Sequence, residues 1–401
     1  MKEIKTPRLM RITTIPLSLD KLLEGQMRFM SENGFEVYMV SENGNNVDKL
    51  VKREGCPHYV VPMTRTISPW RDFISLYKMI KLIKRIKPDI IHTHTAKAGI
   101  IGMLGALLTR TSIRMHTVAG LPLIEAKGMK KALLVFVEKL TYDCATFIYP
   151  NSFRLKDYLI KHGYTDEKKA KVIGRGSSNG INTDYFNLTD DLISKAAALR
   201  VEHGIGKTDL VFIFIGRVVR DKGINELISV FKTLTDKHSH IRLLLVGPFE
   251  DELNPVDKEV KKIIEKHSAV IHVGYKDDVR PYVAASDVLV FPSYREGFPN
   301  VPMQCACLNL PCIVTDINGC NEIIEDGING LVIPSKDENS LRVAMERMIT
   351  DEEFRLACSV VAREKITANY SRENIWEELL NEYRLLLGKK GKRQFINERI
   401  L

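Results

Sequence analysis

Short apolar runs rich in Val and Ile alternate with helix-length amphipathic segments from one end of this 401-residue chain to the other. Runs of about four to eight such residues between turn signals read as buried strands, and a helix between consecutive strands is the connection that parallel pairing needs. This pattern excludes bundles and sandwiches and requires an α/β chain with parallel sheets flanked by helices. In the first half the strands are expected at Leu9 to Ile15, Glu36 to Val40, Tyr59 to Val61, Ile90 to Thr93, Arg114 to Thr117, Phe147 to Tyr149 and Lys171 to Ile173. The second half repeats the pattern at Leu210 to Ile215, Arg242 to Val246, Ile271 to Val273, Val288 to Phe291, Cys312 to Thr315 and Leu331 to Ile333.

A single hydrophobic core stops growing near ~250 to 300 residues, so two doubly wound domains in tandem are expected. Gly, Asn and Asp punctuate G-I-N-T-D-Y-F, Gly180 to Phe186, which sets the domains at 1–185 and 186–370. The last helix, Ser371 to Leu387, carries Ile375, Trp376, Leu379, Leu380, Tyr383 and Leu386 at helical spacing and needs a surface to bury them. Crossing back onto the first domain is one solution and a dimer contact another. A basic tail, 388–401, follows.

The net charge of +9 is uneven. Residues 1–185 hold 30 Lys and Arg against 17 Asp and Glu, a net +13, whereas 186–370 sum to −6. A basic half points to an anionic partner: nucleic acid, a membrane surface or a phosphorylated substrate. Its lysines are not interleaved with the aromatics that single-strand binders use, which argues against nucleic acid. Between Trp70 and Lys87, Phe73, Ile74, Tyr77, Ile80 and Ile83 recur at helical spacing beside Lys78, Lys81, Lys84, Arg85 and Lys87. With Lys127, Lys130 and Lys131, that helix suits peripheral contact with an anionic leaflet, although covering the first sheet explains its apolar stripe. The longest uncharged apolar run, Ala98 to Thr109, is too short to span a bilayer, and the N-terminus leads into no signal core. Seven irregularly spaced cysteines fit a reducing, cytoplasmic setting. The spacings of Cys305, Cys307, Cys312 and Cys320 are not those of a zinc ribbon, so core thiols and no metal are expected.

Open α/β sheets bind ligands outside the C-terminal ends of their strands, and two such domains facing a central cleft would bring both sets of strand ends together. After Leu210 to Ile215 comes G-R-V-V-R-D-K-G, with Arg217 and Lys222 in one strand-to-helix loop. A forked cation beside a mobile point cation suits a diphosphate. After Val288 to Phe291 comes P-S-Y-R-E-G-F-P-N-V-P-M-Q, read as a loop that places Glu296 before a helix N-capped by Asn300, with Pro302 in the first turn and Gln304 inside. The free N–H groups of such a helix end bind phosphate or sugar oxygens. A third strand-end loop, Thr315 to Glu322, is again glycine-containing. In the first half, His94 and His116 end what read as neighbouring strands and are expected to point into the same space, each able to bond a sugar hydroxyl or accept its proton. His92 reads as a packed structural histidine. The glycines of G-I-I-G-M-L-G, Gly99 to Gly105, lie within a helix pattern, where close packing explains them.

Four segments together resemble the retaining GT-B nucleotide-sugar glycosyltransferases of family 4. They are E-G-F-P-N-V, the G-R-x-x-x-x-K-G loop, N-G-I-N-x-x-x-F and D-G-I-N-G-L-V-I-P, and with the strand pattern the match covers most of the chain. The resemblance implies that Arg217 and Lys222 hold the donor diphosphate and that Glu296 contacts the donor sugar. It implies that the amides of Gly297, Phe298, Pro299, Asn300 and Val301 line the sugar-phosphate site, proline contributing backbone only. His116 is implied near the reacting carbon and acceptor, and Glu322 matches a glutamate following the family's glycine pair. Two positions depart from the pattern. The second glutamate of the family's Glu-x7-Glu pair is Gln304, whose amide can still serve ribose hydroxyls. The glycine-rich loop after the first strand is reduced to L-L-E-G, with Gly25 retained beside Glu24.

No Asp-x-Asp follows any strand, so cations and a helix end replace a metal in stabilising the leaving diphosphate, and transfer is expected to need no metal or cofactor. The resemblance favours UDP over GDP and a hexose or N-acetylhexosamine donor. It favours a polyprenyl-diphosphate-linked or other glycan acceptor in bacterial surface polysaccharide assembly. A nucleotide-sugar epimerase of the same fold is the nearest alternative. A Rossmann oxidoreductase would need a glycine fingerprint that T-T-I-P-L-S-L-D lacks.

Overall fold

The computed structural model describes residues 6–64, 68–121, 126–250, 252 and 254–398, with side chains as far as Lys389. The chain forms two compact units. The first joins Met1–Gly180 to Glu373–Leu401, and the second is Ile181–Arg372. The division therefore falls five residues before the expected one. Ile181 pairs with Ser371, and Phe186 packs into the core of the second unit, so all of the Gly180 to Phe186 motif after its first glycine belongs to that unit.

The first unit holds a six-stranded, wholly parallel sheet: β1 (Arg8–Ile12), β2 (Glu36–Ser41), β3 (His58–Val60), β4 (Ile90–His94), β5 (Ile113–Val118) and β6 (Phe147–Pro150), in the order β3-β2-β1-β4-β5-β6. Strand alternation sorts the side chains into two cores. Met10, Ile12 and Ile91 face the helices Pro69–Ile86, Ala96–Leu108 and Gly128–Cys144, while Leu9 and Ile90 face the other layer, which includes Gln26–Glu32 and Val47–Glu54. The helix Ala96–Leu108 lies close on the sheet because Gly99 and Gly102 have no side chain. A Cβ on them would stand 2.6 Å from His116 Cε1 and 2.5 Å from Thr93 Cγ2.

The expected strand Lys171 to Ile173 is absent. Ala170 alone bridges to Ile148, and residues 171–173 have no regular structure. The last helix runs from Arg372 to Glu398, through the segment read as a tail, because lysine and arginine propagate a helix and no proline stops it. Its Leu379, Leu380, Tyr383 and Leu386 complete the second core of the first unit, each aliphatic side chain contributing about 1.5 to 3 kcal/mol of burial.

The second unit repeats the plan with β7 (Leu210–Ile215), β8 (Ile241–Val246), β9 (Val270–Gly274), β10 (Val288–Phe291), β11 (Cys312–Thr315) and β12 (Gly330–Ile333), all parallel, in the order β12-β11-β10-β7-β8-β9. Both sheets reverse their strand order once, between β1 and β4 and between β7 and β10. These are the two topological switch points of a pair of Rossmann-like folds. All seven cysteines are free and buried, and burial raises the thiol pKa of Cys305, Cys312 and Cys320, which keeps them protonated and unreactive. No helix among the described residues is long and apolar enough to cross a membrane.

Candidate functional site

At the switch point of the second sheet the loops after β7 and β10 meet. The β7 loop closes with a 3-10 turn, Arg220–Lys222, and Gly223 at φ 73°. A Cβ at Gly223 would lie 2.1 Å from the Pro292 carbonyl oxygen, so only glycine lets the two backbones touch. Tyr294 N–H donates to the Asp221 carbonyl at 2.9 Å, and Arg295 pairs with Asp221 at 3.3 Å. This stitching delivers Lys222 to Glu296: Nζ and Oε1 form an ion pair whose side chains are only 17 % and 16 % exposed. Ser293 Oγ donates to the same carboxylate oxygen at 2.9 Å, and Thr315 Oγ1 fixes the Ser293 carbonyl at 2.5 Å. Lys222 also lies 5.8 Å from the Phe291 ring centroid.

The helix after this loop is Asn300–Cys307, preceded by Pro299 in an extended conformation. Asn300 is thus the first helical residue and not the N-cap, and no side chain bonds back to the first turn. Proline's fixed φ ends the loop one residue earlier than the capping preference of asparagine suggested. The outcome leaves the first turn of that helix without a side-chain cap, the arrangement that suits an anion at a helix N-terminus. Gln304 lies half-buried in the following turn, and Phe298 packs on Tyr370 with ring centroids 5.4 Å apart. Glu322 sits on the short helix Cys320–Ile323, its carbonyl accepting from the Tyr370 hydroxyl at 2.7 Å. Arg217 is 45 % exposed and pairs with Glu250 at 2.5 Å. Glu250 and Ser293 escaped the sequence reading. Ser293 was legible as the second residue beyond a strand, while Glu250 lies in another strand-end loop and carried no signal.

In the first unit the expected sites are rearranged. Gly25 makes no open phosphate loop: its N–H donates to Glu54 Oε1 at 2.9 Å, Arg28 N–H reaches Glu54 Oε2 at 3.2 Å, and a Cβ on Gly25 would meet the Trp376 ring at 2.7 Å. A buried carboxylate of the chain itself occupies the N-terminus of the helix Gln26–Glu32. His94 and His116 do not point into one space. The β4–β5 register sets Thr93 opposite His116 and His94 opposite Thr117, so the histidines lie on opposite faces of the sheet. His116, 2 % exposed, bonds Thr93 Oγ1 at 2.8 Å under the helix Ala96–Leu108 and is a packing residue. His94 stacks on His92 and lines a cavity of about 20 Å³, room for one water, with its Nε2 unpartnered and Asn151 Oδ1, also unpartnered, on the cavity wall. His92 is structural as expected, held by Tyr383 at 2.6 Å and Thr117 at 2.7 Å.

Burial lowers the pKa of all three histidines, that of His116 to about 4, and the neighbouring cation Arg11 lowers His92 and His94 further. A neutral folded histidine binds fewer protons than its unfolded counterpart below pH ~6.5, so stability is full above that pH and lost as pH falls toward 4, with a slope reaching ~1.4 kcal/mol per pH unit per group. We expect urea midpoints to fall steeply over that window and His116→Gln to flatten the fall. An unchanged slope in the variant would refute the assignment.

Residues 24–184 match the family model described as Glycosyltransferase Family 4, and residues 196–365 match Glycosyl transferases group 1. The chain is 32 % identical over 384 residues to the capsular polysaccharide biosynthesis glycosyltransferase CapM of Staphylococcus aureus, covering 96 % of this chain and 98 % of the relative. It is 26 % identical, over 86 % of this chain and 88 % of the other, to the Escherichia coli UDP-Gal:alpha-D-GlcNAc-diphosphoundecaprenol alpha-1,3-galactosyltransferase. Among solved structures, Anabaena HepE in complex with UDP superposes with a TM-score of 0.78 at 17 % identity, covering 94 % of this chain and 99 % of that one.

Proposed function

The chain belongs to glycosyltransferase family 4, and from that premise we propose that it is a retaining, metal-independent hexosyl- or N-acetylhexosaminyltransferase. Its donor is a UDP-sugar, and its acceptor is a polyprenyl-diphosphate-linked or other glycan of bacterial surface polysaccharide assembly. The observation that carries the reading is the Lys222–Glu296 pair at the second switch point, beside a helix end that no side chain caps. UDP in the similarly folded HepE and an undecaprenyl-diphosphate acceptor in the name of the E. coli relative support the substrate classes.

The residues divide the chemistry. Breaking the bond from the anomeric carbon to the diphosphate leaves negative charge on the departing oxygens. Lys222, Arg217 and the amides opening the helix Asn300–Cys307 stabilise it in place of a metal, each well-aligned group contributing up to ~3 to 4 kcal/mol. Diphosphate binding draws Lys222 from Glu296, whose carboxylate, still held by Ser293, then accepts from sugar hydroxyls. The acceptor hydroxyl forms the new bond to the anomeric carbon on the face the diphosphate leaves, and its proton passes to a diphosphate oxygen. The basic helix Pro69–Ile86 and Lys127, Lys130 and Lys131 hold the enzyme to an anionic membrane from its cytoplasmic face.

A thermal-shift panel of nucleotides and nucleotide sugars in EDTA tests this. A ligand at 100 times its dissociation constant adds ~2.7 kcal/mol of stability. UDP and one UDP-sugar are expected to raise the melting temperature without metal. A shift by a nicotinamide cofactor alone, or one that appears only with manganese, refutes the reading.

A further inference from the structure

The helix Pro69–Ile86 is more than a cover for the first sheet. Met79, Leu82, Ile83 and Ile86 are buried against that sheet's core. On the outward side Trp70, Phe73 and Tyr77, 74, 64 and 63 % exposed, recur at the spacing of one helical face, and the first two rings stack with centroids 6.3 Å apart. Lys81 and Lys84 continue that face toward the helix C-terminus. Beside it runs a groove of about 600 Å³ between the helix and the edge strand β3, lined by Tyr59, Val60, Lys78, Lys81, Leu82 and Arg85.

No carboxylate lines this groove, and Lys78, Lys81 and Arg85 have no ion-pair partner among the described residues. They stand three and four positions apart, close enough to repel one another. The Arg85 guanidinium lies 5.0 Å from the Tyr59 ring centroid, a contact that holds it at the groove wall. Three uncompensated cations around a concave space fit a phosphate group. The aromatic stripe on the same helix, joined to the groove through Lys81, selects among phosphates, because a free anion gains nothing from three exposed rings. A bilayer engages both, with phosphates at headgroup depth and Trp and Tyr at the interface.

We propose that the groove is a headgroup site for an anionic membrane lipid, whose phosphate sits among Lys78, Lys81 and Arg85 while Trp70, Phe73 and Tyr77 enter the interfacial layer. This deepens the membrane contact proposed above into lipid selection at a defined place, and it stands independently of the donor and acceptor sugars.

Vesicle flotation of the full chain tests it, comparing phosphatidylcholine alone with phosphatidylcholine plus phosphatidylglycerol at low and high salt. The native chain is expected to float only with the anionic vesicles and to be released by salt. The variant Lys78→Gln/Lys81→Gln/Arg85→Gln is expected to bind them about a hundredfold more weakly, since each basic residue near an anionic surface is worth roughly a fivefold change. Trp70→Ser/Phe73→Ser should weaken binding while keeping the preference for phosphatidylglycerol. Equal flotation with both vesicles, none with either, or native binding by the triple variant overturns the proposal. So does full competition by inorganic phosphate at matched phosphate concentration, which would mark a free-anion site. The UDP thermal shift of the triple variant reports its folding, and failure of the transferase reading would appear there and not in flotation.

Discussion

Replacing Lys222 with alanine is expected to lower kcat/KM for sugar transfer by about 10²- to 10³-fold, with most of the loss in kcat. The ammonium group sits at the second switch point, held by the backbone contact between Gly223 and Pro292, and is more enclosed than Arg217. Arg217 is nearly half exposed and paired with Glu250, so it cannot take over the position. Part of the loss has another origin: without Lys222, the Glu296 carboxylate loses its cation partner beside the place proposed for the diphosphate. The double variant Lys222→Ala/Glu296→Gln separates the two. Donor binding, read as the UDP thermal shift, should recover in the double variant, while kcat should not. Lys222→Arg is expected to rescue poorly, because a planar fork does not fit the space of a point charge between Ser293 and the Phe291 ring. A Lys222→Ala enzyme within tenfold of the native kcat/KM would sink the assignment of Lys222 to the leaving group.

Tyr383→Phe is expected to cost about 2 to 4 kcal/mol of stability, a large effect for one oxygen atom. The Arg11 side chain is 1 % exposed in the middle of β1, and burial lowers its pKa. Its Nη1 donates to Tyr383 Oη at 2.7 Å and its Nη2 to Gln26 Oε1. The Tyr383 hydroxyl in turn donates to His92 Nδ1 at 2.6 Å, which puts the remaining imidazole proton on Nε2, toward Thr117 Oγ1. Removing one hydroxyl therefore leaves a buried cation short of an acceptor and a buried imidazole short of a donor. The measurement is urea denaturation at pH 7, with the m-value unchanged. Arg11→Met/Tyr383→Phe should be less destabilised than the sum of the two single variants, because the double change removes the stranded charge. A Tyr383→Phe cost below about 1 kcal/mol would show that water already satisfies this cluster.

The fold is legible in the sequence where a local rule is enough. Twelve of the thirteen expected strands form, because a buried parallel strand is a continuous apolar run whatever it packs on. Arg217, Lys222 and Glu296 could be placed in strand-end loops because strand ends are readable, and the fold does bring Lys222 and Glu296 together as an ion pair while Arg217 pairs with Glu250. The fold is not legible where a second element decides. Alternation within β4 and within β5 is visible in the sequence, but the register between them is not, and that register turned His116 away from His94. Glu54, 29 positions beyond Gly25, is an ordinary helical glutamate until the fold brings it to the N-terminus of the helix Gln26–Glu32. Lys171 to Ile173 has strand composition, but the contact of this segment with β6 stops at the single Ala170–Ile148 bridge and the Lys171 N–H bond to the Ile148 carbonyl at 3.0 Å.

The return of the last helix to the first unit also sets the order in which the molecule can be made. Arg11 leaves the ribosome early and finds its hydroxyl partner only after another 372 residues have been synthesised. At ~5 to 20 residues per second that delay is roughly 20 to 75 seconds. Residues 181–372 are continuous and can close their core during that interval. The half that emerges first is completed last, and a message cut short before Tyr383 yields a finished second unit attached to a first one that still lacks a wall.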